Sequence, residues 1–295
     1  MRALPTVAVA MVVAALAAPS AAVDSKAWAA SGPPPSTVAA PSRFETLDVA
    51  MPSLGVERTV RVYLPRGYTN CAGCRYPVLY FMDGQNVFDA ATSFIGEWGA
   101  DETLDALLEA HDLAVIAVGV DHGNAARVHE LSPWENPEHA PARGDAFLDD
   151  LIGAVKPVID ARYRTRPGAA STAIAGSSMG GLMAHAALMR RPDVFGNALV
   201  FSPAYWFSPD ILEETTRTPL KRGQRVFVYA GGAESETMLP KAREIVTAWR
   251  ATLPEGAALE FVEVAEAGHN EAAWRAALPG ALRWLYRLPG GDAWR

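Results

Sequence analysis

A chain of 295 residues, 50% of them hydrophobic, can bury a sizeable core, and as α/β architecture it fits one domain rather than two. The formal net charge of −7, with no basic run anywhere in the chain, excludes nucleic acid and an anionic membrane surface as partners.

The N-terminus reads as an export address. Arg2 precedes an apolar Ala/Val-rich run over 7–17, and Ser20-Ala21-Ala22 supplies the small residues that a signal peptidase reads. Residues 1–22 are therefore expected to be a signal peptide, since the run is too short and too alanine-rich for a stable membrane anchor. Residues 23–42 turn to Ala, Ser and Pro and read as a flexible linker with nothing to bury. A folded domain over 43–290 follows, expected in the periplasm or outside the cell. Cys71 and Cys74 fit that compartment as a small loop-closing disulfide, because a structural zinc site would need ligands that no second Cys pair supplies.

From residue 43 onward, strands and helices alternate. Residues 43–51 and 57–64 predict an antiparallel pair, with the period of two clearest in Thr59-Val60-Arg61-Val62-Tyr63. Strand 78–82, helix 101–110, strand 114–120 and helix 145–159 follow. Beyond a strand and helix around residue 178 come strands 198–201 and 225–229, helix 239–253, strand 259–264 and helix 271–286. Ala114-Val115-Ile116-Ala117-Val118 is apolar throughout, which implies burial on both faces. The expected fold class is α/β, a mostly parallel central sheet with helices on both faces. Ligands of such sheets bind at the carboxyl ends of the strands, so the loops there hold the candidate site.

The most informative loop lies in Ser171 to Gly181, STAIAGSSMGG. A short apolar run enters Gly176-Ser177-Ser178-Met179-Gly180, and a helical pattern with Leu182, Met183, Ala186 and Ala187 follows until Pro192. Strand, glycine-flanked serine and helix are the context in which G-x-S-x-G denotes a nucleophile on a sharp turn. A serine in a strained conformation can project its hydroxyl only if the residues two before and two after lack colliding side chains. Gly176 and Gly180 meet that need, and Gly181 lets the helix pack close to the strand. Ser178 is the expected nucleophile. Acyl transfer also needs two donors for a developing oxyanion. Met179 N–H is one, and the turn Asp83-Gly84-Gln85-Asn86 offers Gln85 N–H as the other.

Of six histidines, His269 lies in a loop after the last predicted strand, where the chain order serine, acid, histidine requires the base. His185, on the helix that follows Ser178, reads as a packed or surface residue. The orienting acid is expected after strand 225–229, with Glu234 chosen, Glu236 its rival and Asp210 a third candidate.

GSSMGG, the DGQN turn, GGAES and AGHNEAAW together resemble the esterase D-type branch of the α/β-hydrolases, over about residues 43–288. That branch includes siderophore esterases, feruloyl and acetylxylan esterases, S-formylglutathione hydrolases and mycolyltransferases. The resemblance implies an α/β-hydrolase fold, an oxyanion hole of Gln85 and Met179, and a glutamate in place of aspartate behind the histidine. The chain departs from the cytosolic S-formylglutathione hydrolases in its export signal. It also lacks a long lid insertion.

The expected function is a secreted serine hydrolase that cleaves carboxylic esters through an acyl-enzyme, with no cofactor and no metal. Small-molecule, glycan or siderophore esters are the expected substrates. An acyltransferase with the same triad, and a non-catalytic binding protein on the same fold, are the alternatives. For specificity, Trp98, Trp134 and Trp206 are expected to line a pocket, with Arg127 and Glu130 holding a polar substrate group. The competing reading has the tryptophans capping the core and Arg127–Glu130 as a loop-stabilising ion pair.

Overall fold

Every residue of Val78–Met82 is buried, and its side chains divide between two cores. Val78, Tyr80 and Met82 pack with Leu182, Leu188 and Ile245 on one side, while Leu79 and Phe81 pack with Trp98, Leu104 and Leu278 on the other. Period-two alternation with apolar residues at every position is what a strand covered on both faces requires.

The computed structural model describes residues 33–94 and 96–291. Within them, eight strands form one sheet in the order β1-β2-β4-β3-β5-β6-β7-β8. They are β1 (Phe44–Met51), β2 (Val56–Tyr63), β3 (Val78–Met82), β4 (Ile116–Val120), β5 (Thr172–Ser177), β6 (Asn197–Phe201), β7 (Arg225–Gly231) and β8 (Ala258–Val264). β1 pairs antiparallel with β2, and β2 antiparallel with β4; all later pairings are parallel. The result is the mostly parallel sheet expected of an α/β-hydrolase.

The helices are α1 (Ala100–His111), α2 (Arg127–Glu130), α3 (Gly144–Asp150), α4 (Lys156–Arg162), α5 (Met179–Arg190), α6 (Asp210–Arg217), α7 (Met238–Ala251) and α8 (Glu271–Leu285). α1 and α8 cover one face of the sheet, and α3 to α7 the other. The single helix expected at 145–159 runs without a break from Gly144 to Arg162, and a wide π turn over Leu151–Val155 joins its segments α3 and α4. α2 and α6 are additional to the predicted elements. α2 is too short to show a period, and α6 buries only Ile211 and Thr215.

Part of the Ala/Ser/Pro-rich segment is held against the body rather than free. Thr37 N–H and Ser36 Oγ donate to Asp89, Thr37 Oγ1 to Glu97, and Ala39 N–H to Asp101. Val38 and Ala40 pack on the core that holds Phe88 and Trp98. Composition hides this because the partners are backbone donors and two small side chains. Cys71 and Cys74 are joined in a disulfide. The predicted signal peptide lies outside the described residues; within them, no helix is long and apolar enough to cross a membrane.

Candidate active site

β5 runs into α5 through Ser178, whose φ of 57° and ψ of −120° are unfavourable for any residue with a Cβ. Such a conformation costs of order 1–3 kcal/mol and persists only where the surroundings impose it. Here they do. Ser178 N–H donates to Phe201 O at 3.0 Å, and Ser178 O accepts from Leu182 N–H at 3.0 Å and Ala204 N–H at 3.1 Å. A Cβ on Gly176 would lie 2.5 Å from the Gly180 backbone, and one on Gly180 2.9 Å from Met82 Cβ. A Cβ on Gly181 would likewise lie 2.8 Å from Phe201 O. The glycines are therefore what lets the chain turn at this point.

Positive φ recurs at the ends of three neighbouring strands: Asp83 after β3, Ser178 after β5 and Ser202 after β6. Strain gathered at the carboxyl edge of a parallel sheet marks the place where side chains are being aimed.

β7 and β8 supply the next pair. The Glu234 side chain is fully buried, and its Oε2 lies 3.2 Å from His269 Nδ1. Glu234 Oε1 accepts from Gly231 N–H at 2.6 Å and from Ser202 Oγ at 2.5 Å. Ser202 Oγ in turn accepts from Trp274 Nε1 at 2.9 Å, and the Trp274 ring meets His269 edge to face at 5.1 Å. Because both carboxylate oxygens act as acceptors, the His269 proton sits on Nδ1 and leaves Nε2 with a lone pair. Glu236 is exposed, and Asp210 is an exposed residue that opens α6. Glu234 is thus the carboxylate that reaches the histidine.

Ser178 and His269 line one cleft of about 510 Å³ with Trp274, Phe94, Asn86 and Asn124. In the same cleft Arg127 is locked to Asp83 by two hydrogen bonds, Nε to Oδ1 at 2.6 Å and Nη2 to Oδ2 at 2.8 Å. Gln85 lies between Asp83 and Asn86 in the single turn Gly84–Asn86. Its side-chain Oε1 accepts from His122 N–H at 3.1 Å, and its carbonyl from Thr92 Oγ1 at 2.8 Å. Met179 N–H is the first of α5, a position with no intrahelical acceptor.

The specificity residues expected from sequence are mostly elsewhere. Trp98 is buried in the core, edge-on to Phe201 at 4.9 Å and beside Phe81. Trp134 is buried as well, with Nε1 donating to Glu214 at 2.7 Å under the Arg190 guanidinium. Trp206 is about half exposed but lines a separate groove with Leu212 and Lys241. Arg127 does line the cleft, yet it pairs with Asp83 rather than with Glu130. Glu130 is buried away from the cleft, where it accepts from Arg58 Nη2 at 2.9 and 3.0 Å. An ion pair in a buried site follows geometry and not proximity in sequence, and Glu130 was already taken.

Sequence reasoning missed Asp83, His122, Ser202, Glu271 and Trp274. Polar residues placed directly at strand ends (Asp83, Ser202) were the available signal. Burial lowers the His122 imidazole below its ordinary range and raises the Glu271 carboxyl above its own. His185 is fully buried, between Tyr205 O–H at 2.8 Å and Thr215 Oγ1 at 3.1 Å, so it is a packed histidine.

Residues 51–285 match the family model for Esterase. The chain belongs to the Esterase family. As such it is a carboxylic ester hydrolase. This esterase is 25% identical to ferri-bacillibactin esterase BesA of Bacillus subtilis, over 74% of this chain and 82% of that one. It is 24% identical to the iron(III) salmochelin esterase of Escherichia coli, over 76% of this chain and 53% of that one. Among solved structures, an IroE-like serine hydrolase from Shewanella oneidensis superimposes with a TM-score of 0.67 at 20% identity, covering 82% of the esterase and 80% of its counterpart.

Proposed function

We propose that this esterase is an exported serine hydrolase in which Ser178, His269 and Glu234 form the catalytic triad. The observation that carries the reading is the fully buried Glu234 carboxylate on His269 Nδ1, in a histidine that shares a cleft with a serine in the elbow conformation. With Nδ1–H committed to Glu234, Nε2 is the free base and takes the Ser178 proton as Oγ attacks the ester carbonyl. The resulting imidazolium is stabilised by the Glu234 carboxylate. Met179 N–H and Gln85 N–H receive the oxyanion, and the N-terminus of α5 adds its positive dipole end. His269 then protonates the departing alcohol. Water, deprotonated by the same nitrogen, attacks the acyl-enzyme and releases the acid.

The substrate is a small-molecule ester, of the siderophore or feruloyl kind named for its relatives. The disulfide and the N-terminal apolar run support export. Ser178→Ala and His269→Ala should each lower kcat for a p-nitrophenyl ester by ~10⁴-fold or more, and the double variant should be little worse, because triad members act as a unit. A fluorophosphonate should label the wild-type protein and not Ser178→Ala. A Ser178→Ala protein that keeps a tenth of wild-type kcat would end this reading.

A further inference from the structure

Glu271 opens α8 two residues past His269, and it lines the cleft beside Ser178 although only 7% of the residue is exposed. It is not the helix cap: Asn270 holds that place, accepting from Ala273 N–H at 3.0 Å.

Five titratable residues line the cleft, and they sort by partner. Asp83 and Arg127 neutralise each other through two short hydrogen bonds. His122 is uncharged near neutral pH because burial disfavours its cation. His269 is hydrogen-bonded to Glu234, whose other oxygen takes two further donors. Glu271 is left. Among the described residues no lysine, arginine or histidine forms an ion pair with it, and Arg127, the nearby cation, is committed to Asp83. The unmatched charge of the cleft is therefore a single carboxylate, in the cleft that the expected nucleophile also lines.

We infer that Glu271 is a specificity-determining residue, selecting esters of cationic or neutral alcohols against esters that carry an anion near the scissile bond. This rests on the assignment of Ser178 as nucleophile. Within the substrates considered above, it favours an uncharged sugar ester over a polyanionic siderophore. At an effective dielectric of ~40, between that of a protein surface and that of water, a unit charge ~6 Å from a carboxylate changes an equilibrium about tenfold.

Three acetates of similar shape isolate the charge: acetylcholine, its neutral isostere 3,3-dimethylbutyl acetate, and the anionic 3-acetoxypropanoate. Their kcat/KM values, measured by pH-stat at pH 7 and low salt, should fall about tenfold at each step in the wild-type enzyme. In Glu271→Gln the overall ratio should collapse to a few-fold. A variant that is merely damaged loses activity on all three alike and keeps the ratio, and that result overturns the inference. If Glu271→Gln does not fold, the wild-type order decides, together with its flattening in 0.5 M salt. A wild-type enzyme that prefers the anion, or that cleaves p-nitrophenyl acetate and none of the three acetates, refutes the role of Glu271 alone. Failure to cleave any ester refutes the nucleophile assignment and the inference with it.

Discussion

Replacing Glu234 by glutamine tests the site at its most constrained atom. Glu234 Oε1 accepts from Gly231 N–H and Ser202 Oγ, so a glutamine amide must place its carbonyl oxygen there. Its NH₂ then takes the place of Oε2, 3.2 Å from His269 Nδ1. A donor facing Nδ1 requires a lone pair on that nitrogen, which moves the imidazole proton to Nε2. The base is then blocked, and the imidazolium loses its counter-charge. A wrong tautomer with the rest of the machinery intact lowers kcat ~10²–10⁴-fold, or about 3–5 kcal/mol of barrier. Steady-state kinetics on a p-nitrophenyl ester should show that loss in kcat with KM little changed. Glu236→Gln, at an exposed residue two positions on, should stay within about twofold of wild type. The reasoning is refuted if Glu234→Gln keeps more than a tenth of wild-type kcat, or if Glu236→Gln is the crippled variant.

Acid stability should report on His185. Burial lowers its imidazole from 6.5 to about 3 in the folded chain, so between those values the unfolded state binds more protons. Its contribution is complete above about pH 6.5 and is lost as pH falls toward 3, with a slope of up to ~1.4 kcal/mol per pH unit. Urea denaturation of wild type and His185→Gln should show a stability gap that narrows from pH 7 to pH 4.5; a constant gap would contradict the assignment. The buried Asp101 carboxyl, raised to about 7, acts with the opposite sign and cancels in that difference. For the disulfide, thiol titration of the purified, unreduced protein should find no free cysteine. Cys71→Ser with Cys74→Ser should lower stability by about 2 kcal/mol, as expected for closing so short a loop, and leave kcat unchanged.

Local chemistry was readable wherever it is imposed by local geometry. Residues 78–82 form the strand their apolar run predicted, and the glycines at 176 and 180 mark the elbow because only a missing Cβ fits between β5 and α5. His269 and Glu234, chosen from chain order, do meet at 3.2 Å, since each lies in the loop that follows a strand of a parallel sheet. What failed was the distinction between core and cleft. Trp98 and Trp134 leave strand ends as cleft residues do, but Phe201 and Glu214, each 80 or more residues away, draw them inward. Arg127 likewise found Asp83 across 44 residues and not Glu130 three along. Burial and partner choice over such separations belong to the assembled sheet, and no window of sequence contains them.

The contacts made by Ser36, Thr37 and Ala39 bear on how far the chain can be trimmed by proteases. A form shortened to begin at Pro35 keeps the backbone donors to Asp89 and Asp101. One that begins at Arg43, where the regular strand pattern starts, strips both. Asp101 has no exposed surface while the segment is in place, and losing a backbone hydrogen bond to a carboxylate costs about 1.5–3 kcal/mol. The smallest fully stable form of this enzyme therefore starts several residues ahead of its first strand. Cleavage between residues 36 and 42 should be slow in the native protein, and should yield a weaker fold when it happens.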